Sequence, residues 1–342
     1  MKLLSLVFLP SSLLGLQSNQ DFLDLRDSLK SFIATNGQGP DRNIPLIIRA
    51  AFHDIGTFDK NGFGLNGCLY KKPKFLAAPG MDGLTPIMQQ LDAFVSKSFP
   101  GNTFSDGDIM SLAGKVAVEA AFPCIQVPWS YGRPSCKKDS PDGLMADPSF
   151  DHTVDLNGPG YRYNLSYLEM GILMAGGHGL KGAQAAFDNS FFSNILLAKT
   201  NSGKDWLLDT FNIKWKLMES RSSTIAIGGA CHKKLTLAKD ACPLGKSPSN
   251  TVMEYHNDDS SLLRFPSDMI LFPSVLQQVY GSQPDEKALE TESILRKFAF
   301  ADRSVFDGAF GITFAKMLNV GVENPSTSLV PLQEEVNKGV CI

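Results

Sequence analysis

The chain has 342 residues, 43% of them hydrophobic and 20% charged, the balance of a soluble globular protein long enough for about two domains or one large domain in two lobes. Its 32 basic and 35 acidic residues leave a net charge of −3, and no basic tract runs along it, which argues against nucleic acid as a partner. The N-terminus reads as a secretory signal: Lys2 precedes a mostly apolar run, Leu3 to Leu16, broken by Ser5, Pro10, Ser11, Ser12 and Gly15. The alternative is a buried first helix, but Pro10 and the polar stretch Gln17 to Gln20 favour cleavage between Gly15 and Gln20. No other segment approaches the ~20 apolar residues that a membrane span requires, so the mature chain is expected to carry no membrane segment.

Most periodic segments that follow are helical. Asp21 to Ala34 places Phe22, Leu25, Leu29, Phe32 and Ile33 on one face. Asn43 reads as the cap of a helix with Pro45 in its first turn, running on through Ile47, Ile48, Ala50, Ala51 and Phe52. That helix is almost wholly apolar and is expected to be buried, with Arg49 and His53 as its polar exceptions. Ser105 with Asp108 loosely matches a capping box before Ile109 to Ala113, and Ser166 with Glu169 matches one better, opening a helix from Met170 to Gly176. Further helices are expected over Gln184–Ala198, Leu271–Tyr280, Glu286–Phe300 and Val305–Leu318. Gly56 to Gly83 and Pro128 to Gly160 read as long loops, and a break falls near residues 140–160. Strand signals are few.

Six cysteines without a CxxC pair point to disulfides rather than a zinc or thioredoxin-like site. The shortest loops pair Cys124 with Cys136 and Cys231 with Cys242, leaving Cys68 and Cys341. Asn164-Leu165-Ser166 is a glycosylation sequon for a secreted chain.

Three places carry candidate chemistry. Arg49 and His53 lie one helical turn apart on one face. A buried guanidinium needs compensation, either a structural carboxylate or a cavity with a polar ligand, where His53 moves protons and Arg49 stabilises negative charge. His178 closes the run Ala175-Gly176-Gly177-His178; it either meets the helix dipole or, with glycines beside it, approaches a flat ligand. Asp268 in Phe265-Pro266-Ser267-Asp268 is either a helix cap or a carboxylate holding the far nitrogen of a ligating histidine.

Read in order, these segments resemble the haem peroxidase superfamily of plants, fungi and bacteria. Arg49-Ala50-Ala51-Phe52-His53 resembles its distal helix motif, Met174 to His178 its proximal motif and Phe265 to Asp268 the segment with the proximal Asp. Ser105 to Gly114, Val127 to Arg133 and Phe187 to Phe192 are similar to other segments of the family. The likeness covers roughly residues 40–320 and is greater to the cytochrome c peroxidase branch than to the secreted branches.

The resemblance implies a mainly α, two-lobed fold with haem b held non-covalently between the lobes. It places the distal lobe at about residues 20–150, the proximal lobe at about 151–320 and a tail at 321–342, after a signal peptide ending near residue 19. His178 is then the iron ligand, Asp268 its partner and Phe52 the residue over the haem face. His53 and Arg49 cleave hydrogen peroxide, and a small-molecule or polymeric donor supplies electrons one at a time.

Departures from the family pattern are also visible. Met81 stands where the family places an Asn that orients the distal His. Asp54 fits a first distal calcium ligand, but Asn66, Cys68 and Gly179 stand at further ligand positions, implying no proximal calcium and at best a weak distal one. Residues 178 and 187 are closer together than in related chains, and Arg42 and Leu46 occupy the places of a manganese-binding acidic pair. Trp206 and Trp215 read as core residues rather than electron relays. The departures leave a second reading open, a haem-binding protein of low turnover acting as a sensor, carrier or interaction module.

Overall fold

The computed structural model describes residues 18–35, 40–55, 65–71, 84–101, 104–122, 125–136, 166–178, 203–219, 253–256, 258, 263–264, 272–275, 286–320 and 329–334. These form helices α1 (Asn19–Thr35), α2 (Pro40–Ile55), α3 (Cys68–Lys71), α4 (Leu84–Ser98) and α5 (Asp106–Ala121), then strand β1 (Ser130–Tyr131). Helices α6 (Tyr167–His178) and α7 (Gly203–Asn212) and strands β2 (Lys216–Glu219), β3 (Met253–His256) and β4 (Leu263–Arg264) follow. Helices α8 (Glu286–Phe300) and α9 (Arg303–Leu318) and strand β5 (Val330–Pro331) complete the described elements. The fold is mainly α, as expected. No helix among the described residues is long and apolar enough to cross a membrane.

Helices α1 to α5 pack among themselves, with α2 against α5 as a main contact. Helices α6 to α9 form a second group, and α9 also reaches α2 and α5. Small residues set the closest approaches. A Cβ at Gly114 of α5 would lie 3.0 Å from the Cβ of Ala51 on α2, and one at Gly171 of α6 would lie 2.7 Å from Leu295 of α8. Phe306, Phe310 and Phe314, one turn apart on α9, form a buried aromatic ridge. Trp206 and Trp215 are buried core residues, and Trp215 Nε1 donates to the Thr210 carbonyl.

Several capping expectations hold. Ser105 Oγ accepts from Asp108 N, and Ser166 and Glu169 form a reciprocal box, with bonds of 2.6 Å to Glu169 Oε2 and 3.2 Å to Ser166 Oγ. Asn43, however, is no cap. Helix α2 begins at Pro40, and the buried Asn43 amide donates to the Ile33 carbonyl at 3.0 Å, joining α2 to the end of α1. Pro45 consequently lies inside the helix. The long loop expected over residues 56–83 contains α3, and that over 128–160 contains β1. The helix expected over 184–198 and the break near 140–160 lie outside the described residues, as does most of the helix expected over 271–280.

The cysteine pairing also differs. Cys68 bonds to Cys136, not Cys124 to Cys136. Loop length is a poor guide because other contacts already bring these residues together. Gly67, with φ of +75°, presses on the Asp106 backbone, and Cys136 N donates to Asp106 Oδ2 at 3.2 Å. Both cysteines are thus gathered around the first turn of α5. Cys124, Cys231, Cys242 and Cys341 lie outside the described residues.

Two buried charge clusters close this half of the molecule. Arg133 pairs with Asp108, donates to the carbonyls of Ser130 and Leu318, and reaches Asn319 Oδ1 at 2.6 Å. Burial pushes its pKa down to about 10 against the opposing charge of Asp108. Lys115 is fully buried and bonded to Glu119, to the Val127 carbonyl at 3.1 Å and to Glu334 at 3.0 Å.

Glu334 belongs to a segment expected as a tail, yet residues 329–334 are docked. β5 pairs antiparallel with β1, Gln333 exchanges two bonds with Asn19, and Arg26 also holds Glu334. Replacing Glu334 with Ala strips one carboxylate from the buried ammonium and should cost about 2 kcal/mol of stability. Denaturant unfolding measures this, and a change of a few tenths would show that Glu119 and the Val127 carbonyl suffice for Lys115.

Candidate functional site

The candidate distal residues sit on one edge of α2. Leu46, Ile47, Ile48, Ala50, Ala51, Asp54 and Ile55 are buried, whereas Arg49, Phe52 and His53 are only half-buried. The helix is packed against α1, α3, α4, α5, α6 and α9, and these three side chains mark its less buried edge. The amphipathic logic is inverted here, because Arg49 and His53 are polar residues on the less buried edge of an apolar helix.

Arg49 Nε lies 3.3 Å from His53 Nε2. A guanidinium can only donate, so Nε2 accepts and the proton of the neutral ring is assigned to Nδ1. Burial, reinforced by the Arg49 charge, holds the His53 pKa well below 6.5. The ring is therefore neutral at neutral pH, with its lone pair directed towards Arg49. His53 Nδ1 is buried and has no hydrogen-bond partner among the described residues. Such a group is costly in an interior, and a histidine held by one nitrogen is less firmly oriented than one held by two. The Phe52 ring meets His53 edge-on at 6.0 Å.

Asp54 anchors the site from behind. Its carboxylate is fully buried and accepts from Asn66 N at 2.9 Å, Gly67 N at 2.8 Å and Leu69 N at 2.9 Å. Burial raises its pKa to about 6, opposed by these three bonds. The residue expected as a weak calcium ligand thus grips a loop with both oxygens. This grip was not read from the sequence, where Asp54 figured only as a possible first distal calcium ligand.

Helix α6 brings the backbone of His178 to its last position. The glycines before it do not act alike. A Cβ at Gly176 would lie 2.2 Å from the Phe310 ring of α9, and Gly203 of α7 packs against the Gly176 backbone. Gly176 therefore makes room for protein rather than for a ligand. Gly177 has open space where its Cβ would be. The His178 side chain, Met81 and Asp268 lie outside the described residues, so the structure brings together Arg49, Phe52 and His53 but does not test their relation to His178 or Asp268.

These features fit acid–base chemistry on a small polar ligand. A polar edge with a neutral imidazole and a guanidinium faces out of α2, α6 touches the same helix, and space opens at Gly177. A guanidinium suits developing negative charge and a neutral imidazole suits proton transfer.

Comparison with known proteins gives an independent finding. The family model described as Peroxidase matches residues 25–273. A putative mitochondrial cytochrome c peroxidase of Yarrowia lipolytica is 26% identical over 310 residues, covering 88% of this chain and 90% of the relative. Cytosolic L-ascorbate peroxidase 2 of Arabidopsis thaliana is 31% identical over 169 residues, covering 44% of this chain and 64% of the relative. Manganese peroxidase 2 of Phlebia radiata is 29% identical over 140 residues, covering 39% and 34%.

Proposed function

Because this chain belongs to the peroxidase family and is a hydrogen-peroxide-dependent haem oxidoreductase, we propose that Arg49 and His53 are its peroxide-cleaving pair, with His178 and Asp268 on the opposite side of the haem. The observation that carries this reading is the contact between Arg49 Nε and a neutral His53 Nε2 on the less buried edge of α2.

Haem b, held without a covalent bond, would supply the redox chemistry, with His178 as its iron ligand and Phe52 packed on its face. His53 Nε2 accepts the proton of the peroxide oxygen that attacks and returns it to the oxygen that leaves. Arg49 gives up its bond to Nε2 as peroxide arrives, and its guanidinium then stabilises the charge that grows on the leaving oxygen. Asp268 accepts a hydrogen bond from the far nitrogen of His178 and raises the basicity of the ligand. A small-molecule or polymeric donor returns the electrons one at a time.

An absorption spectrum of the purified chain tests the reading. A Soret band that shifts on adding peroxide is expected, and absence of the band would remove haem from the account.

One observation favours slower turnover: His53 Nδ1 has no hydrogen-bond partner among the described residues. Met81 stands at the position where the family resemblance implies an orienting Asn. Met81→Asn should therefore raise the rate of peroxide cleavage, by about tenfold if the new bond is worth ~1.4 kcal/mol in the transition state. Stopped-flow mixing with peroxide measures it, and an unchanged rate would show that His53 is already well oriented.

Secretion is part of the same proposal. The broken apolar N-terminal run and the Cys68–Cys136 disulfide support it, since disulfides persist in oxidising compartments. The Asn164 sequon would then carry glycan. The contacts of Ser18 and Asn19 favour a cleavage that leaves both in place.

A further inference from the structure

We infer that the Cys68–Cys136 disulfide is a redox switch on the peroxide-cleaving site: a dithiol reductant opens it, and the loop that braces the end of α2 beside His53 loosens. The inference rests on the role proposed above for Arg49 and His53.

The bond sits in the middle of the Asp54 grip. Asp54, next to His53 at the end of α2, accepts from the N–H groups of Asn66, Gly67 and Leu69, which lie on both sides of Cys68. Cys68 N itself donates to Asn66 Oδ1 at 3.0 Å. Every N–H from residue 66 to residue 69 is therefore engaged in one arrangement, and a displacement of Cys68 disturbs all of them.

Cys136 ties this loop to a separate segment, docked on the first turn of α5. The Pro134 carbonyl accepts from Gly107 N at 3.3 Å, Ser135 Oγ accepts from Asp106 N at 3.1 Å, and Cys136 N donates to Asp106 Oδ2 at 3.2 Å. The disulfide thus joins the loop that holds α2 to the start of α5. Other holds survive its opening. Gly67 lies against the Asp106 backbone, and Lys71 pairs with Asp92 of α4 and with Asp106. Opening therefore loosens the loop without releasing it, which is the behaviour of a switch rather than of unfolding.

The two sulfurs differ in access. Cys68 is fully buried, whereas Cys136 is half-buried and follows the exposed Pro134 and Ser135. A thiolate of the reductant attacks Cys136 Sγ, the S–S bond breaks, and its electron pair leaves on Cys68 Sγ, which takes a proton. The second thiol of the reductant then attacks the mixed disulfide and expels Cys136 Sγ, which takes the other proton. The dithiol is oxidised to a disulfide, and both cysteines become thiols.

The test uses the haem-loaded full chain, either oxidised or reduced with dithiothreitol and freed of the reagent without air. It is read as amide hydrogen exchange of residues 65–71 and as stopped-flow cleavage of peroxide. Reduction should speed exchange in the loop. It should also slow cleavage by about tenfold, because a misplacement of ~1 Å can cost about a hundredfold and the other braces remain. Reoxidation should restore both. Cys68→Ser/Cys136→Ser should be slow from the start and unresponsive to the reductant, which separates this bond from the chain's other cysteines. In His53→Ala, reduction should still speed exchange but leave the rate unchanged. If exchange speeds and the wild-type rate holds, the disulfide is structural and the inference fails alone. Equal slowing of the double variant or of His53→Ala would overturn it too, as would a bond that dithiothreitol does not open in the folded chain. If His53→Ala cleaves peroxide as fast as the wild type, the proposed distal role falls and the inference with it. Should the double Ser variant not fold, Cys68→Ala/Cys136→Ala carries the comparison, with mass mapping of the thiols in the reduced wild type to identify the opened bond.

Discussion

Replacing His53 with Ala is expected to slow peroxide cleavage by roughly a hundred- to ten-thousand-fold while leaving the Soret band in place. The range follows from what a positioned base contributes when it takes and returns one proton. The structure sharpens the expectation, because His53 has the correct charge state before peroxide arrives. Burial and the Arg49 charge hold its pKa well below 6.5. The wild-type rate should therefore stay level as pH falls through 6.5 and decline only at more acidic pH.

Folding is linked to the same shift. With the folded pKa depressed, the stability that His53 contributes is present above the unfolded value of 6.5 and is lost as pH falls below it, because the unfolded chain takes up the proton first. Stopped-flow rates against pH for the wild type and His53→Ala separate these effects. A wild-type rate falling with a midpoint near 6.5 would show that the His53 pKa is not depressed, and a variant as fast as the wild type would show that His53 is not the base.

Arg49 and His53 were legible because their signal is local. Two polar residues one turn apart on a mostly apolar helix call for an explanation at any level of detail, and the structure brings the two side chains into contact. Helices α1, α8 and α9 were legible for the same reason. Helix α4 was not read, although Leu84, Ile87, Met88, Leu91 and Val95 repeat at helical spacing and are all buried. Its pattern was present and was absorbed into the surroundings of a long loop. Helix α7 offered less, since it is short and opens on Gly203.

Other features depend on distant partners. Gly176 is small because Phe310 needs the space, and residues 329–334 dock because β1, Lys115 and Asn19 receive them. No window of sequence contains both halves of such contacts. The disulfide misled for a related reason, because loop length was weighed while the meeting of both cysteines at Asp106 was not visible.

Asp54→Ala is expected to be the most damaging single change to stability near the site, at about 3 kcal/mol or more. It removes the acceptor for the N–H groups of Asn66, Gly67 and Leu69 at once, and a buried unsatisfied donor costs ~1–3 kcal/mol. The loop cannot readily swing out to find water, because Cys68 within it is bonded to Cys136 and Gly67 is pressed against Asp106. Opening the disulfide with Cys68→Ser should therefore lessen the cost of Asp54→Ala, a coupling that a double-mutant cycle in denaturant would measure.

Asp54→Asn is the milder control, since its oxygen retains part of the grip. It also isolates the charge. Because the folded pKa of Asp54 is raised from 3.8 to about 6, its contribution is present below 3.8 and lost as pH rises through about 6, and Asp54→Asn should abolish that pH dependence. The effect should reach the chemistry as well, because Asp54 directly follows His53 and the loop it grips braces the end of α2. Peroxide cleavage should slow in Asp54→Ala even at temperatures where the variant remains folded. Additive losses with Cys68→Ser and an unchanged rate of cleavage would show that the clamp and the base are independent.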